Sequence, residues 1–177
     1  LQECLHLGMM LVEIIGQLHE RQIIHKDIKP SNIIINPATC QVKIADFSIA
    51  SRLWKENPTA MDPNLLEGTL AYMSPEQTGR MNRCIDYRTD YYSLGVSLYE
   101  MLTGQLPFTT ADPMELIHAH MAKTPISPHR LNGEIPPVVS DIVMKLMAKT
   151  AEERYQSAAG IQYDLQCSLD RLHSQGA

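Results

Sequence analysis

The stretch Ile23–Ser48, IIHKDIKPSNIIINPATCQVKIADFS, decides the reading of this chain. It gathers Asp27, Lys29, Asn32 and Asp46 between apolar runs: Ile23-Ile24 before, Ile33-Ile34-Ile35 between, and Val42 with Ile44 just ahead of Asp46. That alternation of short apolar runs and polar groups predicts two short buried strands with charged residues at their ends. Asn36-Pro37 supplies a turn between them, so a hairpin can bring Asn32 and Asp46 together. A carboxylate and an ammonium two residues apart, followed by an amide oxygen and a second carboxylate, provide a proton acceptor, a counter-charge for phosphate and two hard oxygen ligands. Such a set suits a magnesium-bound polyphosphate, because Mg²⁺ prefers oxygen ligands and is usually held by one or two carboxylates together with substrate phosphates.

These residues resemble a known family. His25-Lys26-Asp27-Ile28-Lys29-Pro30-Ser31-Asn32 is similar to the protein-kinase catalytic loop, H-R-D-x-x-x-x-N, and Asp46-Phe47-Ser48 is similar to its D-F-G. The resemblance implies that Asp27 accepts the proton of the substrate hydroxyl, that Lys29 faces the transferring phosphate of ATP, and that Asn32 and Asp46 hold Mg²⁺. His25 and Phe47 would support the site. Lys29 marks the serine/threonine version of the loop. Two departures carry expectations. Lys26 stands where most members have Arg, and an ammonium lacks the planar fork that grips a phosphorylated loop at two points. Control by loop phosphorylation is therefore expected to be weaker. Ser48 replaces a Gly that adopts φ > 0 at little cost, so this turn is expected to flip less easily.

Outward from the loop, residues ~3–22 carry Leu7, Leu11, Ile14, Ile15 and Leu18 at helical spacing, which predicts an amphipathic helix leading into the site. From Ile49 to Glu76 periodicity fades and turn signals accumulate. This segment resembles the kinase activation segment and closes on Gly68-Thr69-Leu70-Ala71-Tyr72-Met73-Ser74-Pro75-Glu76, with Ser74 in place of the common Ala. By resemblance Thr69 contacts the catalytic Asp and Lys, while Ser51, Thr59 and Thr69 are hydroxyls open to phosphorylation. Asp90 to Met101 reads as a helix with Leu94, Leu98 and Leu102 on one face, closed by Gly104. Asp90-Tyr91-Tyr92-Ser93-Leu94-Gly95 resembles the D-x-W-S-x-G signature whose Asp anchors the catalytic-loop backbone, and Tyr92 takes the place of Trp. Asp112-Pro113 predicts a capped helix to about Lys123. Pro125, Pro128, Pro136 and Pro137 predict a loop, and apolar periodicity predicts helices around Val138–Met147 and Ile161–Leu172. Arg154 resembles the arginine that pairs with Glu76 in kinase C-terminal lobes.

The expected fold is therefore mainly α, of α+β class, with two or three short strand pairs near the site. In this reading residues 1–177 form a partial protein kinase domain: catalytic loop 23–35, metal-binding turn 46–48, activation segment 46–76 and helical subdomain 77–173. Nothing in the chain resembles the Gly-rich loop, the V-A-I-K lysine or the helix bearing its Glu partner. Either the N-terminal lobe lies outside this chain, in a longer parent, or the chain is a degenerate remnant, and the chain alone is expected not to phosphorylate protein. Gly79-Arg80-Met81-Asn82-Arg83 and the Met147–Ala158 stretch resemble the kinase module of large bacterial multi-sensor kinases, which carry sensor and often histidine-kinase regions downstream in the same polypeptide.

Composition sets outer bounds. With 177 residues, 44% hydrophobic, the chain has enough apolar material for one core. A net charge of -5 argues against nucleic acid as a partner, and no apolar run approaches the ~20 residues that span a bilayer. Cys4, Cys40, Cys84 and Cys167 form no C-x-x-C pair and read as free thiols in a reducing, cytoplasmic setting. His118 and His120, two apart on a helix, point in different directions, which disfavours zinc there. A second reading, a kinase-like docking module without catalysis, stays open beside the enzyme. A glycosidase using Asp27 and Asp46 as a carboxylate pair leaves Lys29 and Asn32 unexplained.

Overall fold

A computed structural model describes residues 1–52, 70–81 and 83–175. The first helix, α1 (Gln2–Glu20), buries Leu5, Leu11, Val12 and Ile15 and turns Glu3, His6, Glu13 and Gln17 outward. It stops in a six-residue turn: the Ile23 amide donates to the Leu18 carbonyl at 2.9 Å and the Gln22 amide to the His19 carbonyl at 2.9 Å. Gln22 takes the left-handed position of this turn, φ +61, where Gly is the usual occupant. The reversal aims the chain straight into the polar loop, and Ile24 makes an isolated antiparallel bridge with Ser51.

The expected hairpin forms, with β1 (Ile33–Asn36) antiparallel to β2 (Gln41–Ile44) and Ile33 opposite Ile44. The expectation of two buried strands needs correction. In β2, Val42 and Ile44 are buried and face α1, but in β1 Ile34 and Ile35 are 56% and 48% exposed. Successive strand residues face opposite ways: Ile34 pairs with Lys43 on the face away from Val42 and Ile44, and Ile35, paired with Val42, remains half exposed. The two or three strand pairs anticipated reduce, among the described residues, to this one sheet and the Ile24–Ser51 bridge.

Helix α2 (Arg88–Thr103) occupies the centre, with every residue from Thr89 to Tyr99 buried. The leucine face seen in the sequence understates this. Its serines are inside too, each hydrogen-bonded: Ser97 Oγ donates to the Ser93 carbonyl at 2.9 Å and Ser93 Oγ to the Tyr72 carbonyl at 2.9 Å. Gly104, φ +73, ends the helix as anticipated. Helix α3 (Pro113–Ala122) starts on Asp112, whose side chain accepts from the Met114 amide at 2.8 Å. The proline-bounded loop contains one short helix, α4 (Pro128–Leu131), because Pro128 at the first helical position is preset for a turn. Helices α5 (Pro137–Leu146) and α6 (Ala158–Gln175) complete the set, α5 packing on α2 and α6 on α1.

The α2–α5 crossing is close. A Cβ on Gly95 would lie 2.7 Å from Leu146 Cβ and 2.9 Å from Met147 Cγ, far inside contact distance. Gly95→Ala should therefore cost ~1–3 kcal/mol by overpacking and lower the melting temperature. An unchanged midpoint would show that the two helices separate freely. His120 is buried, its Nδ1 2.9 Å from the Tyr92 hydroxyl, whereas His118 is exposed, so the two diverge as expected. Burial, reinforced by the charge of Lys149, pushes His120 down to about 3 and keeps it neutral. Cys4, Cys40, Cys84 and Cys167 are all outside any disulfide. No helix among the described residues is long and apolar enough to cross a membrane.

Candidate active site

The polar loop is pinned from below by one carboxylate. Asp90, in the first turn of α2 and fully buried, accepts from the His25 amide at 3.0 Å, the Lys26 amide at 2.8 Å and His19 Nε2 at 2.8 Å. The first two of these bonds fix the backbone entering Lys26, which sits at φ +68. A left-handed conformation costs a non-Gly residue on the order of 1–3 kcal/mol and persists only where surrounding contacts over-determine it. Asp90 supplies much of that determination.

His25 joins the two halves of the site. Its Nδ1 lies 3.3 Å from the Asp27 amide and its Nε2 3.2 Å from the Ala45 carbonyl. The Asp27 amide must donate, so Nδ1 is the acceptor and the ring carries its proton on Nε2, directed at Ala45. The ring also meets Phe47 edge to face, with centroids 4.6 Å apart. The hairpin makes the second link: the Ala45 amide donates to the Asn32 carbonyl at 2.8 Å, continuing the register past Ile44. Asn32 and Asp46 thus flank one end of the two-stranded sheet, as the sequence predicts.

Asp27 is 7% exposed. Its Oδ2 lies 2.8 Å from Lys29 Nζ and accepts from Asn32 Nδ2 at 2.9 Å. Its Oδ1 is buried and has no hydrogen-bond partner among the described residues. The Asn32 amide nitrogen also donates to the Asp27 carbonyl at 2.9 Å, which commits it to Asp27 and leaves the amide oxygen for another partner. Asp46 is exposed and at φ +65, and its Oδ1 accepts from the Ser48 amide at 3.2 Å. Hydrogen bonds from Ser48 hold the Asp46 carboxyl below its ordinary 3.8, with the charge of Lys29 adding a smaller pull. Ser48 itself does not have positive φ, so the glycine that the sequence lacks at this position is not required by this turn.

The exposed carboxylate of Asp46 and the amide oxygen of Asn32, at the same end of the hairpin, are the hard oxygen donors that Mg²⁺ prefers. Among the described residues no group of three or more His, Cys, Asp or Glu side chains is placed to hold a metal ion. Thr69 and Thr59 lie outside the described residues.

Behind the loop, Glu76 and Arg154 meet 78 residues apart in sequence. Arg154 Nη1 donates to Glu76 Oε1 at 2.6 Å and Nη2 to Oε2 at 2.8 Å, and both side chains are buried. The remaining guanidinium donors reach the Ala148, Arg88 and Lys149 carbonyls at 2.9, 3.0 and 3.4 Å, so the whole fork is used. Two supporting residues escape a reading of the sequence. His19 carries no local signal, since its partner Asp90 is 71 positions away. Gln77 does carry one, its spacing three after Ser74, where a side chain can reach back to the first residue of a turn.

Comparison with known proteins agrees with this geometry. Residues 2–165 match the protein kinase domain family. The chain is 38% identical over 147 residues to the serine/threonine-protein kinase PknB of Mycolicibacterium smegmatis, covering 83% of this chain and 23% of that protein. It is 38% identical over 160 residues to a probable serine/threonine-protein kinase of Clostridium perfringens, covering 90% and 23%. A hybrid signal transduction histidine kinase G of Dictyostelium discoideum is 31% identical over 229 residues, covering 92% of this chain and 7% of that protein. The chain thus spans about a quarter of the length of the bacterial relatives it matches. With an aspartate held between lysine and asparagine, a second aspartate at the hairpin end and a family match over nearly the whole length, this chain belongs to the protein kinase domain family.

Proposed function

We propose that this chain carries the catalytic half of a serine/threonine protein kinase, which moves the γ-phosphoryl group of ATP to a protein hydroxyl in signal transduction. The observation that supports the reading most is Asp27: one carboxylate oxygen is held by Lys29 and Asn32, and the other is buried without a partner among the described residues. A fixed carboxylate with one uncommitted oxygen is what a proton acceptor needs, since geometry comes before pKa in choosing a base. As the substrate oxygen attacks the γ-phosphorus and the bond from that phosphorus to the bridging oxygen of the departing ADP breaks, Asp27 takes the hydroxyl proton. Lys29 sits against Asp27 and offers its positive charge to the transferring phosphoryl group. Asn32 and Asp46 would hold Mg²⁺, which would neutralise charge on the polyphosphate. A docking module would have no use for a buried, oriented carboxylate of this kind, which favours the enzyme.

In this reading residues 23–35 are the catalytic loop, 46–48 the metal-binding turn, 46–76 the activation segment with Thr69 contacting Asp27 and Lys29, and 77–173 the helical subdomain. ATP lies between this region and an N-terminal lobe. Sensor and histidine-kinase regions in the same polypeptide, and a cytoplasmic location, belong to the same proposal.

The test is ATP- and Mg²⁺-dependent phosphorylation of a generic protein substrate by the full-length protein. Phosphoserine or phosphothreonine is expected; a protein that binds ATP yet transfers nothing would overturn the enzyme reading. In the same assay Asp46→Asn should raise the Mg²⁺ concentration for half-maximal rate by roughly tenfold or more, since changes around a metal site commonly cost 10–100-fold in affinity. An unchanged Mg²⁺ requirement would remove Asp46 from the metal site.

A further inference from the structure

Lys26 is held at its amide by Asp90, but the peptide unit that follows it, linking Lys26 to Asp27, needs its own restraint. This plane sets where the Asp27 side chain starts. Its N–H end donates to His25 Nδ1 at 3.3 Å, and its C=O end accepts from Gln77 Nε2 at 2.8 Å. Gln77 is 2% exposed and lies in the turn Pro75–Thr78 that closes the activation segment, 51 residues from Lys26.

The amide of Gln77 is itself oriented. Its Oε1 accepts from the Ser74 amide at 3.0 Å, which fixes the NH₂ group on the side of Lys26. Thr89 donates its one hydroxyl proton to Glu76 Oε1 at 2.7 Å, so across the 3.1 Å contact Ser74 Oγ is the donor and Thr89 Oγ1 the acceptor. A continuous buried chain of hydrogen bonds therefore runs from the Arg154–Glu76 pair through Thr89, Ser74 and Gln77 to the carbonyl beside Asp27.

We propose that Gln77 is a positioning residue for phosphoryl transfer: its side-chain amide clamps the Lys26 carbonyl and so aims the Asp27 carboxylate, coupling the end of the activation segment to the base. This inference rests on the catalytic role given to Asp27 above. The oxygen of Gln77 serves the local turn and its nitrogen serves the site, so the two functions can be separated by mutation. Gln77→Glu keeps an acceptor for Ser74 and loses the donor to Lys26, whereas Gln77→Met keeps the approximate shape and loses both.

The experiment uses the full-length protein and two readouts. In steady-state kinetics both variants should lose kcat by about 10²-fold, the scale of a misplaced catalytic group, with the KM for ATP unchanged within about threefold, as for loss of an interaction used only in the transition state. In amide hydrogen exchange, peptides covering residues 23–29 should exchange at least about tenfold faster in both variants, the size of one lost hydrogen bond, with the helices unaffected. Gln77→Glu behaving as wild type in exchange while Gln77→Met does not would assign Gln77 to the turn alone and overturn the proposal. So would wild-type exchange in both. Loosened exchange with undiminished kcat would show that the clamp exists but does not aim the base, which also overturns it. If the wild-type protein transfers no phosphoryl group but exchange at 23–29 responds as stated, the clamp stands and the kinase reading fails.

Discussion

Asp27→Asn in the full-length protein is expected to lower single-turnover phosphorylation by ~10²–10⁴-fold, the usual worth of a positioned general base, with the fold preserved. The substitution keeps size and planarity, so the new carboxamide still offers an oxygen to Lys29 Nζ and to Asn32 Nδ2, both of which reach Asp27 Oδ2 in the wild type. What it removes is the negative charge and proton affinity of the buried oxygen. Because the substrate proton leaves only as the new P–O bond forms, the loss should fall on the chemical step, leaving ATP affinity close to wild type. Turnover within about tenfold of wild type under single-turnover conditions would show that Asp27 is not the base, since general-base help is worth at least ~10²-fold.

Much of this site is legible in the sequence because its parts are local. Asp27, Lys29 and Asn32 lie within six positions, and a turn at Asn36-Pro37 brings Asp46 back beside Asn32 through a register that the apolar runs define. The helix-ending role of Gly104 and the cap at Asp112 are likewise written in single residues with one mechanism each. Legibility fails where a residue's environment comes from distant chain. Ser93 and Ser97 look like a wet helix face, yet both are buried, and only their bonds to carbonyls one turn back or on the Leu70–Tyr72 turn explain it. Ile34 and Ile35 look buried and are exposed, since periodicity reports what a strand could bury and not whether a second layer is present. His19 meets its partner Asp90 71 positions away, and Gln77 reaches the Lys26 carbonyl across 51 positions; the spacing of Gln77 from Ser74 signals the turn but not that longer contact.

The Glu76–Arg154 pair is expected to dominate the stability of this region. Breaking a buried ion pair from one side leaves an uncompensated charge and costs ~3–5 kcal/mol, a large share of a typical ~5–15 kcal/mol. The two single variants should differ. Glu76→Gln retains an oxygen for the Thr89 hydroxyl, which donates to Glu76 at 2.7 Å in the wild type, but strands the guanidinium. Arg154→Met strands the carboxylate, removes the donors to Ala148, Arg88 and Lys149, and abolishes the contact of the guanidinium with the Tyr92 ring at 5.0 Å. Arg154→Met should therefore be the more damaging, and the double variant should lose less than the sum of the two by about 0.5–3 kcal/mol. The pair also sets a pH dependence. Burial alone would raise the Glu76 carboxyl, but the hydrogen bonds and charge of Arg154, with the Thr89 hydroxyl, outweigh it and hold the group below its ordinary 4.5. A depressed folded-state pKa gives stability that is complete above the unfolded value and fades as pH falls through the folded one. Wild type should accordingly lose stability below about pH 4.5, and Glu76→Gln should lose less over the same range. Urea midpoints measured across that range decide the matter: additive single losses, or losses of only the ~0–1 kcal/mol typical of an exposed pair, would show that the pair contributes little to holding the Pro75–Thr78 turn against the helices.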